Sequence, residues 1–173
     1  QYVEESGLPK EEALINLLIE EEMAVLLVFN MGDDRLVDPV LKHDLYMMGT
    51  DGIYMEGGMI HPRQFGSAAR LLGPCVRDHK LFSLEDAVYK LSGSAAKRFG
   101  MAQRGFVKEQ HFADLVIFDP DTVQDHATYD NPQQFSSGIE YVFTNGIPIV
   151  HNNQPLEITS QTLPGRYLRY QPK

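Results

Sequence analysis

Three residues carry the sharpest chemistry in this sequence. Asp51 closes the run Gly49-Thr50-Asp51, just ahead of Gly52, and His61 and Arg63 flank Pro62 a short distance downstream. A carboxylate just past the carboxyl end of a buried strand stands where βα loops open the mouth of a parallel sheet or barrel. There it can ligate a divalent metal or carry a proton. Aspartates also cap turns, and spacing alone leaves both roles open. Pro62 stiffens the local backbone, so His61 and Arg63 are presented from a rigid spot. A guanidinium captures carboxylates in a bidentate fork, which makes a substrate acid group an attractive partner for Arg63. The plainer alternative pairs Arg63 with a surface Glu and bonds His61 to a loop carbonyl.

No second site competes. His43, His79, His111, His126 and His151 are scattered, with no H-x-H or H-x₃-H spacing. No dinucleotide, P-loop or G-x-S-x-G pattern occurs. Cys75, beside Pro74, reads as a small apolar residue in a helix. Met47 and Met48 read as core, and Asp114 and Asp119 as solvated or turn-forming residues bracketing a strand.

The elements that must position these groups follow from apolar periodicity. Pro9–Glu22 reads as an amphipathic helix, with Pro9 at its start and Ala13, Leu14, Leu17 and Leu18 in one stripe. Ala24–Phe29 is a short run apolar on both faces, as a covered strand should be. Asp33 or Asp34 caps a helix through about Lys42, with Leu36, Val37 and Val40 inward, and Leu45–Met48 is a second candidate strand leading into Asp51. Helix, buried strand, helix, buried strand is the order of parallel βα units. After a Gly-rich loop (Gly52, Gly57, Gly58), helices are expected at Gln64–Leu72, from a Ser83 capping box to Leu91, and at Ala95–Phe99 with Gly100 as terminator. Beyond Gly105 the period changes. Asp114–Asp119 is a strand and Ile139–Val150 a hairpin turning at Asn145-Gly146. Pro120–Ser137 is polar and loop-like, and the tail Asn152–Lys173 mostly irregular.

Composition narrows the function classes. The 173 residues are 43% hydrophobic and 23% charged, with 15 Lys+Arg against 24 Asp+Glu and a net charge of -9. That balance argues against a nucleic-acid partner, whose phosphates need clustered cations. The longest apolar run, Met23–Phe29, falls far short of the ~20 residues of a membrane helix, so no membrane partner is expected. A single cysteine excludes an intrachain disulfide framework and leans towards a cytoplasmic setting. Nothing at the start reads as a signal peptide. The first residue is Gln1, and the expectation is a processed or truncated piece of a longer protein.

Taken in order, Gly49–Gly52 (GTDG), His61–Arg63 (HPR), Leu71–Gly73, Ser83–Gly100, Arg104–Pro132 (with ADLVIFDP and DPDTVQDHATY) and Gly138–Val150 closely resemble the C-terminal part of the N-acyl-D-amino-acid deacylases, or D-aminoacylases, of the amidohydrolase superfamily. The resemblance runs from about Leu8 to Arg169. It implies an α/β fold: the last βα units of a (β/α)₈ metal-dependent barrel over residues 1–103, and a β-sandwich segment with the C-terminal tail over 104–173. It implies that Asp51 matches the aspartate after the eighth barrel strand, which contacts the catalytic zinc and moves a proton from metal-bound water to the leaving amine. Arg63, with His61 beside it, matches a position that helps hold the substrate carboxylate. The family's H-x-H, its ligand cysteine, its bridging residue and its later histidines fall upstream of Gln1. Cys75 lies where the family usually has an aromatic residue, and Phe65–Arg70 lacks the bulky residues expected after HPR, a change in the local pocket.

The resulting expectation is part of a zinc-dependent hydrolase of N-acyl-D-amino acids, small-molecule substrates, completed by the N-terminal part of the barrel. A zinc site needs at least three protein ligands and this chain offers one, so the chain by itself is expected to be inactive. Two other readings stay open: a cyclic-amide hydrolase of the dihydropyrimidinase or dihydroorotase kind, and a non-catalytic C-terminal assembly module.

Overall fold

The computed structural model describes residues 2–25, 32–53, 60–159 and 163–169. Its helices and one antiparallel sheet make a mixed α/β fragment that divides into two compact units, Gln1–Met31 and Gly32–Lys173. In the first unit, α1 (Tyr2–Ser6) and α2 (Lys10–Glu20) are tied by the Tyr2 hydroxyl, which donates to Glu20 Oε2 at 2.9 Å. Ala13 is fully buried, and the helix ends where Glu22 and Met23 turn to positive φ. Beyond Ala24 and Val25, the expected strand Ala24–Phe29 lies outside the described residues.

The second unit opens with α3 (Asp34–Lys42), whose start is fixed by Asp33 accepting the N–H of Arg35. Its apolar residues do not point inward as expected: Leu36 is 73% and Val40 58% exposed, and Val37 is exposed as well. Periodicity marks which face is apolar but not what covers it, and no described element does. Leu45–Met48 is likewise not a paired strand among the described residues. Its one backbone bond there to another element is from Met48 N–H to the Lys90 carbonyl at 3.3 Å. A strand exists only through its neighbours, and no parallel pair occurs among the described residues.

α4 (Arg63–Leu72) runs into a wider π turn at Pro74–Asp78, where Cys75 is buried. Ser83 then caps α5 (Leu84–Val88) by accepting the Asp86 N–H at 3.1 Å. The next two expected helices form one continuous run: α5 passes through a π turn at Tyr89–Gly93 into α6 (Ser94–Arg98). That run ends as expected at Gly100, with Met101 N–H on the Ala96 carbonyl, the closing bond of a Schellman cap.

The sheet is an antiparallel meander of β1 (Leu115–Phe118), β2 (Ile139–Thr144), β3 (Ile147–His151) and β4 (Gln154–Pro155). Asn145 (φ 50) and Gly146 (φ 81) form the expected two-residue turn between Thr144 and Ile147. The tail is less irregular than its composition suggests. Asn152 and Asn153, both at positive φ, make a second tight turn into β4, a conformation that asparagine tolerates.

The core joins helices to sheet. Ala69 and Leu72 of α4, Ala87 of α5 and Val123 are buried together, with Val76, Phe82, Leu84, Leu91, Phe118 and Ile139 packed around them. Val123 belongs to the polar stretch 120–137, which is not a free loop but a strap along α4. At one end Arg77 donates to the Pro120 and Val123 carbonyls and to Gln124 Oε1. Midway, Arg70 pairs with Asp125 at 3.2 Å. Towards the start of the helix, Ser136 donates to the Phe65 carbonyl and the Phe65 and Phe135 rings meet. No helix among the described residues is long and apolar enough to cross a membrane.

Gly138 shows how tightly the strap is seated. It holds φ +76, and a Cβ there would lie 2.4 Å from Val123 N. Left-handed backbone costs an L-residue about 1–2 kcal/mol before any clash is counted. Gly138→Ala should therefore lower stability by at least about 2 kcal/mol, read as a shift in urea midpoint without change of slope. Val123→Ala should cost about 2–3 kcal/mol through lost burial and the cavity left behind.

Candidate functional site

Asp51 is held from both sides. Upstream, the buried Lys90 donates to the His43 carbonyl at 2.6 Å, with its ammonium near the faces of Tyr46 and Phe82 (5.8 and 5.9 Å). With the Met48 bond, this fixes the stretch His43–Met48 that leads into Thr50-Asp51-Gly52. Nothing in the sequence singled out Lys90, because a lysine at a helical position is ordinarily solvated. At the turn itself Asp51 adopts φ 48, and the Gly52 N–H bonds to Thr50 Oγ at 3.2 Å. A Cβ at Gly52 would meet the end of the Gln64 side chain, which would have to turn aside.

The structure brings Asp51 and Arg63 together. Arg63 Nη2 lies 2.8 Å from Asp51 Oδ2, with the carboxylate side chain 78% and the arginine 35% exposed. Exposed pairs contribute only ~0–1 kcal/mol, so this contact orients the groups more than it stabilises the fold. Arg63 Nε is buried and has no hydrogen-bond partner among the described residues. Among the described residues His61 bonds no loop carbonyl. Its Nδ1 accepts the Arg63 backbone N–H at 3.0 Å, and its Nε2 lies 3.3 Å from the Tyr129 hydroxyl, the two rings meeting edge-on. An Nδ1 that accepts leaves the proton of the neutral ring on Nε2.

Asp114 and Asp119 fall where they were expected, whereas Met47 and Met48 are half-buried and outside the core cluster. Asp119 caps a turn by accepting from Asp121 N–H and the Thr122 hydroxyl. Asp114 is tied to Arg104 and to the Asn145 N–H at the hairpin turn. Among the described residues no group of three His, Cys, Asp or Glu is placed to hold a metal. The described residues therefore do not fit a zinc ion by themselves: Asp51 is one carboxylate, and its described partner is a cation.

Similarity to known proteins accounts for this partial site. No family model matches the sequence. Three curated proteins of Alcaligenes xylosoxydans xylosoxydans do: a D-aminoacylase, 43% identical over 70% of this chain and 25% of its own length; an N-acyl-D-aspartate deacylase, 35% identical over 84% and 30%; and an N-acyl-D-glutamate deacylase, 40% identical over 79% and 27%. The chain belongs to the D-aminoacylase family. It spans about a quarter to a third of the length of these relatives. A crystal structure of D-aminoacylase, described as defining a subset of amidohydrolases, superposes on 71% of the chain with TM-score 0.68 at 40% identity, over 26% of its own chain. The N-acyl-D-glutamate deacylase of Bordetella bronchiseptica, solved with zinc and a phosphonate mimic of the tetrahedral intermediate, matches 71% of the chain and 27% of its own with TM-score 0.65 at 38% identity. A further D-aminoacylase structure is described as having a binuclear metal centre. The relatives are hydrolases of amide C–N bonds that carry metal.

The geometry makes a prediction about His61. Burial is the main cause that holds its pKa below the ordinary 6.5, the Arg63 charge adds to this, and Asp51 opposes it. A histidine whose folded value is lowered favours the neutral ring, so its contribution to stability is complete above the unfolded pKa and is lost as pH falls from there through the folded value. NMR titration should give His61 a pKa below 6.5, shifted upwards in Arg63→Gln and further downwards in Asp51→Asn. A shift of the opposite sign in either variant would refute these causes.

Proposed function

We propose that this chain supplies the proton-carrying and carboxylate-binding edge of the active site in a longer zinc-dependent N-acyl-D-amino-acid deacylase. In this reading residues 1–103 hold the last βα units of the (β/α)₈ barrel and residues 104–173 contribute strands of the β-sandwich. The remaining barrel comes from the N-terminal part of that longer protein. The observation that carries the reading is the ion pair of Arg63 with Asp51 in a chain homologous to deacylases. It sets a carboxylate able to move a proton beside a cation suited to the substrate's acid group.

Amide hydrolysis asks two things of these residues. A water oxygen bonds to the acyl carbon and gives up a proton, and the departing nitrogen must gain one before the C–N bond breaks. Asp51 takes the first and returns it to the nitrogen, so acid and D-amino acid leave with protons balanced. Its exposure suits this, since a carboxylate enclosed by its own fold could not reach substrate. Arg63, with His61 behind it, holds the α-carboxylate and so fixes which face of the amide meets Asp51. Zinc belongs to the longer protein, with most of its ligands outside this chain, and the mild lean to a cytoplasmic setting rests on cysteine usage alone. The relatives named above are all deacylases, which supports this reading over cyclic-amide hydrolysis.

In the full-length enzyme, Asp51→Ala should lower kcat by about 10²–10⁴-fold, the range for loss of a positioned proton carrier, with the thermal midpoint little changed. Near-normal turnover would remove Asp51 from the mechanism. The 173-residue chain mixed with zinc and an N-acetyl-D-amino acid should show no turnover above background. A measurable rate there would disprove the need for the rest of the barrel.

A further inference from the structure

We propose that Tyr129 is a positioning residue for substrate recognition, acting through His61 on Arg63. The proposal rests on the reading above, in which Arg63 holds the substrate carboxylate. Tyr129 lies 68 positions beyond His61, yet it meets that residue in two ways: Oη is 3.3 Å from Nε2, and the ring centroids are 5.1 Å apart at 77°. The other nitrogen sets the direction of the bond. Because Nδ1 accepts the Arg63 N–H, the neutral ring carries its proton on Nε2 and donates it to the phenol oxygen.

The imidazole is thereby clamped between the strap and the start of α4. The N–H it accepts belongs to the first residue of that helix, one of the four amides at a helix start that find no partner within the helix. Holding that amide fixes the direction in which the Arg63 side chain leaves the backbone, towards Asp51 at 2.8 Å. Without the phenol, the ring is free to turn about its Cβ–Cγ bond and carry Nδ1 away from the amide. Arginine has much rotamer freedom to lose on ordering, so a preset direction raises affinity for whatever it binds. The effect belongs to recognition of the charged end of the substrate and not to breaking the amide bond.

The test uses the full-length enzyme and two amides: an N-acyl-D-amino acid, and the matching N-acyl amine that lacks the α-carboxylate. Tyr129→Phe should raise KM for the first by about three- to ten-fold, the size of one hydrogen-bond deletion, with kcat within about two-fold. For the carboxylate-free amide, kcat/KM should be unchanged, or its inhibition constant if turnover is too slow to follow. Tyr129→Ala, which also removes the ring contact, should raise the first KM further. In a His61→Ala background, Tyr129→Phe should add nothing. An unchanged KM, or equal losses on both amides, overturns the proposal; equal losses would show Tyr129 to be merely structural. Arg63→Ala separates this from the reading beneath it. If that variant keeps its preference for the carboxylate-bearing amide, the role of Arg63 fails first, whatever Tyr129 does.

Discussion

Everything at the site depends on how one exposed carboxylate is kept in place. The ion pair between Asp51 and Arg63 cannot do this by its own strength, because water competes for both partners. What makes the geometry reproducible is the rigidity behind each of them. Arg63 starts α4, whose far end is buried through Ala69 and Leu72 against Val123. Asp51 follows a stretch that a buried lysine holds by the His43 carbonyl. The contact between the side chains then records where two anchored backbones meet. A weak pair also leaves the carboxylate free to change partners.

Lysine 90 illustrates how local rules and tertiary need diverge. Its place in the π turn widens the helix by one residue, and such widenings are frequent where a helix serves a site. The turn brings its backbone carbonyl to Met48 and its ammonium to His43, so one residue anchors both ends of a short segment. A burial this deep is tolerated because the ammonium has a carbonyl acceptor and two ring faces near it.

Features decided by a few neighbouring residues were legible in the sequence. Asp33 and Ser83 cap their helices, Gly100 ends a helical run and Asn145-Gly146 turns the hairpin, each through contacts within a handful of positions. Features decided by distant partners were not. The apolar face of α3 was readable, but its exposure was not, since burial depends on a covering element. The stretch 120–137 is irregular, as read, but its seating on α4 was not legible, because it turns on the buried Val123 and on arginine partners more than forty positions upstream. At the site, the aspartate and arginine could be named from motif and spacing, whereas their mutual contact, and the tyrosine behind His61, required the fold.

The strap also ties the C-terminal part of the chain to α4. Residues 120–137 follow α4 from Arg77 back to His61. The contacts are spread along the helix: Val123 is buried against Ala69 and Leu72, Arg70 pairs with Asp125, and the Phe65 and Phe135 rings meet nearer the start. A helix held at its end, middle and beginning presents its first residue in one orientation. The region beyond α6 therefore reaches the residue that begins α4 through the helix it packs against, and the two parts are coupled by geometry as well as by covalent continuity.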